Sequence, residues 1–88
     1  MLYSSLRESL DSENYTNIRN KLISLRKKSH FTQRGLAKKL SVTQSYVSKV
    51  ESGQRRLDIL ELRKYLYVLN YSTHQFLSEI DITGRGEK

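Results

Sequence analysis

Two Thr-Gln pairs, Thr32-Gln33 and Thr43-Gln44, each stand at the head of a short apolar repeat. Leu36, Ala37 and Leu40 follow the first pair at helical spacing. Val47 and Val50 follow the second, and Val42 lies between. Threonine is a good N-cap, because its hydroxyl accepts from a free N–H of the first helical turn. The pattern therefore predicts helices at 32–39 and 43–51 joined by a tight turn. Ala37 is small where two such helices must approach closely. Neither segment is long enough to be stable alone, so the pair must pack together and on further helices. This is the requirement of a helix-turn-helix, in which one helix braces and the other presents its outer face.

The flanking sequence supplies those further helices. Tyr15, Ile18, Leu22 and Leu25 recur at intervals of three and four, predicting a helix over 14–28 that ends in cationic Lys27, Lys28 and His30. Gly53 ends the second helix of the motif. Asp58 then opens a helix over 58–70, with Ile59, Leu62, Leu66 and Leu69 as its inner face. Ser72 and Gln75 have the spacing of a capping box before a short helix at 73–80 with Phe76, Leu77 and Ile80 as its inner face. Leu2, Tyr3, Leu6 and Leu10 suit an extra turn or helix within 3–10, with Asp11 or Ser12 capping the next one. There is no strand-like alternation, internal repeat or proline. The expectation is an all-α, five-helix domain over 13–80, with an N-terminal extension at 1–12 and a loose tail at 81–88.

Composition removes several function classes. With no cysteine there is no disulfide and no thiolate metal site, and His30 and His74 lack a metal-ligand spacing. No acid–base–nucleophile grouping or phosphate-cradling glycine loop is present, so neither an enzyme nor a cofactor is expected. No apolar run approaches the ~20 residues of a membrane span, and no secretory leader is legible. The expected location is the cytoplasm. With no accompanying ligand-binding domain, no small-molecule ligand is expected. The net charge of +7 is unevenly spread: residues 19–56 carry +10, residues 1–18 carry −2 and residues 57–88 carry −1. A basic segment coincident with this motif points to a phosphate backbone, hence a nucleic-acid partner, with double-stranded DNA the one expected for a helix-turn-helix.

Residues 13–80 resemble the Cro/C1-type, or Xre, helix-turn-helix family. The resemblance is carried by Thr32-Gln33, Leu36-Ala37, Gln44-Ser45-Tyr46-Val47-Ser48-Lys49, Glu51-Ser52-Gly53 and Arg56-Leu57-Asp58. It implies a five-helix, lambda-repressor-like DNA-binding domain. Two positions depart from the family pattern: Gly35 stands where Glu is usual, and Ser41 where Gly is frequent. Glycine inside a helix costs about 1 kcal/mol relative to alanine, and serine is less comfortable at positive φ.

With Val47 and Val50 inward, Gln44, Ser45, Ser48 and Lys49 face outward, and Tyr46 faces outward or flanks. These five are the candidates for base contact in the major groove. Arg34 and Lys38 lie one turn apart on the bracing helix, and Arg55 and Arg56 follow the recognition helix. Together with Gln33 they are candidates for phosphate contact. The family resemblance implies that Gln33 bonds both a phosphate and Gln44, and that Arg26 and Glu51 form a structural salt bridge. Tyr67, Tyr71, Phe76, Leu77 and Ile80 are the candidates for a homodimer interface, with the N-terminal stripe as the rival surface. The leading expectation is a sequence-specific regulator, most simply a repressor on an inverted-repeat operator. The alternatives are an antitoxin-like interaction module that also binds DNA, and a nucleic-acid binder without sequence choice.

Overall fold

The computed structural model describes the backbone of residues 2–80 and the side chains of residues 13–80. Its helices are α1 (Leu2–Lys28), α2 (Gln33–Leu40), α3 (Gln44–Ser52), α4 (Ile59–Val68) and α5 (Thr73–Glu79), with no strand among the described residues. The architecture is all-α, as the apolar spacing predicts. The N-terminal helix differs from expectation. Instead of two helices divided at Asp11 or Ser12, one helix of 27 residues runs through both. Asp and Ser favour caps where the chain turns, but no glycine precedes Gly35 and no proline occurs. Nothing therefore interrupts the backbone ladder. The side chains of Leu2, Tyr3, Leu6 and Leu10, and the whole 81–88 tail, lie outside the described residues.

Caps set most of the other boundaries. Thr32 Oγ1 accepts from the Gly35 N–H at 2.9 Å, and Thr43 Oγ1 from the Tyr46 N–H at 3.1 Å. Gly35 therefore sits in the first turn of α2 rather than mid-helix, and its N–H is satisfied. The usual Glu would have added only the reciprocal half of a capping box. Asp58 and Glu61 form the complete box, with bonds of 2.8 and 2.9 Å. At α5, Ser72 Oγ accepts from the Gln75 N–H at 3.1 Å, but the Gln75 amide donates to Glu79 Oε2 at 2.9 Å. Only half of the expected box forms, because the bond to Glu79 turns the Gln75 side chain along the helix and away from the Ser72 N–H.

Ser41 ends α2 in the left-handed region, at φ 61°. Its N–H and that of Val42 then return to Lys38 O and Ala37 O at 3.2 and 3.0 Å, which makes the turn of the motif. Ala37 is 2% exposed at the approach of α2 to α3. The core joins Leu22 of α1, Leu36, Ala37 and Leu40 of α2, Val47 and Val50 of α3, and the inner faces of α4 and α5. Each fully buried Leu or Val side chain contributes about 1.5–3 kcal/mol. α4 packs on α2 and α5, and α1 packs on α3.

The α4 inner face is Leu62, Tyr65, Leu66 and Leu69. Ile59, expected there, is 61% exposed, and Tyr65 completes the stripe at 1%. Ile59 is the first residue of α4, one turn before Leu62. Burial pushes the Tyr65 phenol above its ordinary range, and its hydroxyl has no hydrogen-bond partner among the described residues.

Polar contacts also tie α5 to α1. Lys21 Nζ lies 2.9 Å from Glu79 Oε1, and the Tyr71 hydroxyl donates to the same carboxylate. The Tyr71 and Gln75 hydrogen bonds, then Lys21, hold Glu79 down to about 2. A lowered carboxylate contributes stability above its unfolded value of 4.5 and loses it as pH falls through about 2. Glu79→Gln should therefore flatten the acid limb of stability between about pH 5 and pH 2 in urea titrations. Ser41→Gly should stabilise the fold by about 0.5–1 kcal/mol in denaturant melts, because glycine adopts the left-handed region without steric cost.

Candidate nucleic-acid interface

The α3 helix separates two sets of side chains. Val47 and Val50 are fully buried, while Gln44, Ser45, Ser48 and Lys49 are exposed. None of these four side chains takes part in a hydrogen bond or ion pair among the described residues, so their donors and acceptors point outward uncommitted. Arg34, Lys38 and Lys39 are exposed on α2.

The α3 helix is held from behind by Glu51. This residue is 8% exposed, and Arg26 is 9%. Arg26 Nε and Nη2 donate to the two Glu51 carboxylate oxygens at 2.5 and 3.0 Å, a bidentate pairing. Arg26 Nη1 also donates to Phe31 O at 2.7 Å. The hydrogen bond with Glu51 raises Arg26 above its ordinary range despite partial burial. Gln33 Nε2 completes the cluster, donating to Glu51 Oε1 at 2.9 Å.

That last bond corrects the expectation for Gln33. No Gln33–Gln44 bond is present among the described residues. A buried carboxylate is the stronger acceptor for the Gln33 amide, and it draws the side chain inward.

Tyr46 and Arg55 are also redirected. Tyr46 is half-buried against the core, and Arg55 Cζ lies 4.7 Å from its ring centroid. Arg55 Nη2 lies 2.5 Å from Glu61 Oε2. Tyr46 thus leaves the outer face of α3, and the Arg55 guanidinium ties the loop after α3 to α4. Arg56 remains exposed, stacked 4.5 Å from the Tyr15 ring centroid. The Tyr15 hydroxyl donates to Arg55 O at 3.2 Å.

Sequence reasoning missed Arg19. Its Nη1 donates to Glu51 O at 3.1 Å, placing a cation at the C-terminal end of α3, where the helix dipole favours one. The signal was present: Arg19 and Arg26 are two turns apart on one face of α1. Gly53 ends α3 at φ 88°, and a Cβ there would lie 3.2 Å from Arg19 Nε.

The interface candidates of the C-terminal region separate as well. Phe76 is fully buried and Ile80 is 9% exposed, so both belong to the core of one chain. Tyr71 is half-buried and engaged with Glu79. Only Tyr67, at 83%, and Leu77, at 47%, are open.

The helix-turn-helix family profile matches residues 22–76, which take in all of α2, α3 and α4. The chain belongs to the Xre-type helix-turn-helix family. A solved structure described as an XRE-family like protein from Pseudomonas syringae pv. tomato str. DC3000 is 28% identical, with a TM-score of 0.82. The likeness covers 85% of this chain and 92% of that one. No curated protein matches the sequence. This Xre-type chain is a DNA-binding transcription regulator, and α2 and α3 are the two helices of its helix-turn-helix. Among the described residues, no helix is long and apolar enough to cross a membrane.

Arg26→Ala should destabilise this Xre-type fold by about 3–5 kcal/mol, since it leaves Glu51 buried and unpaired. A thermodynamic cycle with Glu51→Ala should show a coupling above about 1 kcal/mol. Additive losses would show that the two side chains act separately.

Proposed function

We propose that this regulator is a repressor that binds an inverted-repeat operator as a homodimer, reading bases with the outer face of α3. The observation that carries the reading is the row Gln44, Ser45, Ser48 and Lys49, exposed and uncommitted on a helix fixed from behind. The N-terminal half of such a helix enters the major groove. There Gln44 suits adenine N6 and N7, Lys49 suits guanine O6 or N7, and the serines accept several base edges. Arg34, Lys38 and Arg56 are the phosphate contacts. Gln33 and Arg55 act mainly by holding α3 and the loop behind it, and Tyr46 is left out of the base contacts.

One domain of this size makes few base contacts, so a two-fold pair gives the more useful specificity. With Phe76 and Ile80 inside the core, the contact between copies falls to the outer face of α5 around Leu77. A dimer that spaces its recognition helices by about 34 Å covers successive major grooves on one side of the duplex. Occupying a promoter in this way blocks transcription without any further surface, which is why repression is the simplest outcome. The place of action is then the nucleoid, in the cytoplasm.

Genome-wide footprinting should return an inverted repeat. On a duplex carrying it, Gln44→Ala and Ser45→Ala should each lose about 1–3 kcal/mol of discrimination while keeping non-specific binding. Arg34→Ala and Lys38→Ala should weaken all duplexes alike, each lowering the salt slope by about one. If Gln44→Ala discriminates as well as the parent, the recognition assignment fails. If the chain binds a single half-site as a monomer at micromolar concentration, the dimer fails.

A further inference from the structure

The α4 helix has a second stripe that the core does not use. Leu60, Arg63, Lys64 and Tyr67 stand at positions i, i+3, i+4 and i+7, and all four are exposed. Leu60 is 70% open and Tyr67 is 83% open. Together the four line a groove of about 250 Å³. Among the described residues no carboxylate lies within ion-pair distance of Arg63 or Lys64; the acidic side chains nearest in sequence, Asp58 and Glu61, are engaged in the cap, and Glu61 also with Arg55. The stripe thus has an apolar side chain at each end and two uncompensated cations in the middle.

This pattern selects its occupant. A phosphate backbone suits the cations but leaves Leu60 and Tyr67 facing charge and water. A second copy seated by a two-fold axis sets the same patch against itself, so Arg63 and Lys64 would meet their own kind. A complementary surface needs acids opposite the cations and apolar groups opposite the ends. On a helix, that is an apolar residue, two acids and another apolar residue at i, i+3, i+4 and i+7. The pattern reads the same in either direction, so both orientations of the partner helix fit.

We propose that the outer face of α4 docks an acidic amphipathic helix of another protein. One edge of the site lies at the helix-turn-helix itself. Lys64 also borders a recess of about 180 Å³ with Val42 of the turn and Tyr46 of α3. A partner seated on the stripe therefore lies against the elements that orient the recognition helix.

The test is fluorescence anisotropy on the full chain. The probe is a labelled helical peptide carrying Leu, Glu, Glu and Leu at the four matching positions; a control peptide has Lys in place of Glu. The Glu peptide should bind in the micromolar range, more weakly as salt rises, and the Lys peptide at least ten-fold more weakly. Arg63→Glu combined with Lys64→Glu should reverse that order. Leu60→Ser combined with Tyr67→Ser should lose at least ten-fold for the Glu peptide. These positions are exposed, so the variants should keep the parent circular dichroism and bind generic duplex DNA as the parent does. That readout separates failure here from failure of the operator reading. Three results would each overturn the proposal: equal affinity for the two peptides, a light-scattering dimer abolished by the Leu60/Tyr67 variant, or loss of duplex binding by the Arg63/Lys64 variant.

Discussion

The arrangement turns on one buried carboxylate. Glu51 sits at the end of α3 and is met by Arg26 from α1 and Gln33 from α2, while Arg19 of α1 caps the backbone carbonyl of the same residue. A charge taken out of water is costly unless its lone pairs are filled. Here two side chains from two helices fill them, and each bond has a direction. Apolar packing of Val47 and Val50 brings α3 to the core, but such packing is non-directional. The carboxylate cluster adds the directional restraint that fixes how far α3 is rolled and where its outer row points.

The same division of labour extends along the chain after α3. The Tyr15 hydroxyl and the Arg55–Glu61 pair pin the loop on both sides, and the Arg55 guanidinium lies over Tyr46. Polar groups behind α3 are thus spent on structure, and those in front of it stay uncommitted. The base-reading role proposed for α3 needs this asymmetry. Base-edge hydrogen bonds discriminate only when the side chains making them are not already satisfied within the protein, and only when the helix carrying them is held in place.

The α4 helix is the second element with two working faces. Its inner stripe closes the core against α2 and α5, using the ring of Tyr65 for apolar area at the expense of a hydroxyl without a partner among the described residues. Its outer stripe leaves Leu60 and Tyr67 in water beside two cations. Exposed large apolar residues scattered singly are ordinary; aligned on one helical face with uncompensated charge between them, they form a surface with a defined complement.

Local sequence determined the elements. Threonine, aspartate and serine caps, the positive-φ stops and the three-and-four apolar spacing all act within a few residues, so the number of helices, the turn and the inner Val47–Val50 face were legible without coordinates, whereas the unbroken run of α1 through Asp11 and Ser12 was not. The outward position of Gln44, Ser45, Ser48 and Lys49 followed from that periodicity. Competition between distant groups was not legible. Whether Gln33 turns to Gln44 or to Glu51, whether Arg55 reaches outward or pairs with Glu61, and whether Tyr65 or Ile59 fills the core depend on partners brought together only by folding. Phe76 and Ile80 show the same limit: an apolar stripe says that a face will be covered, not by what. Only the tertiary structure decided that their own core covers them, because burial is a property of the assembled surface and not of the helix that carries the residue.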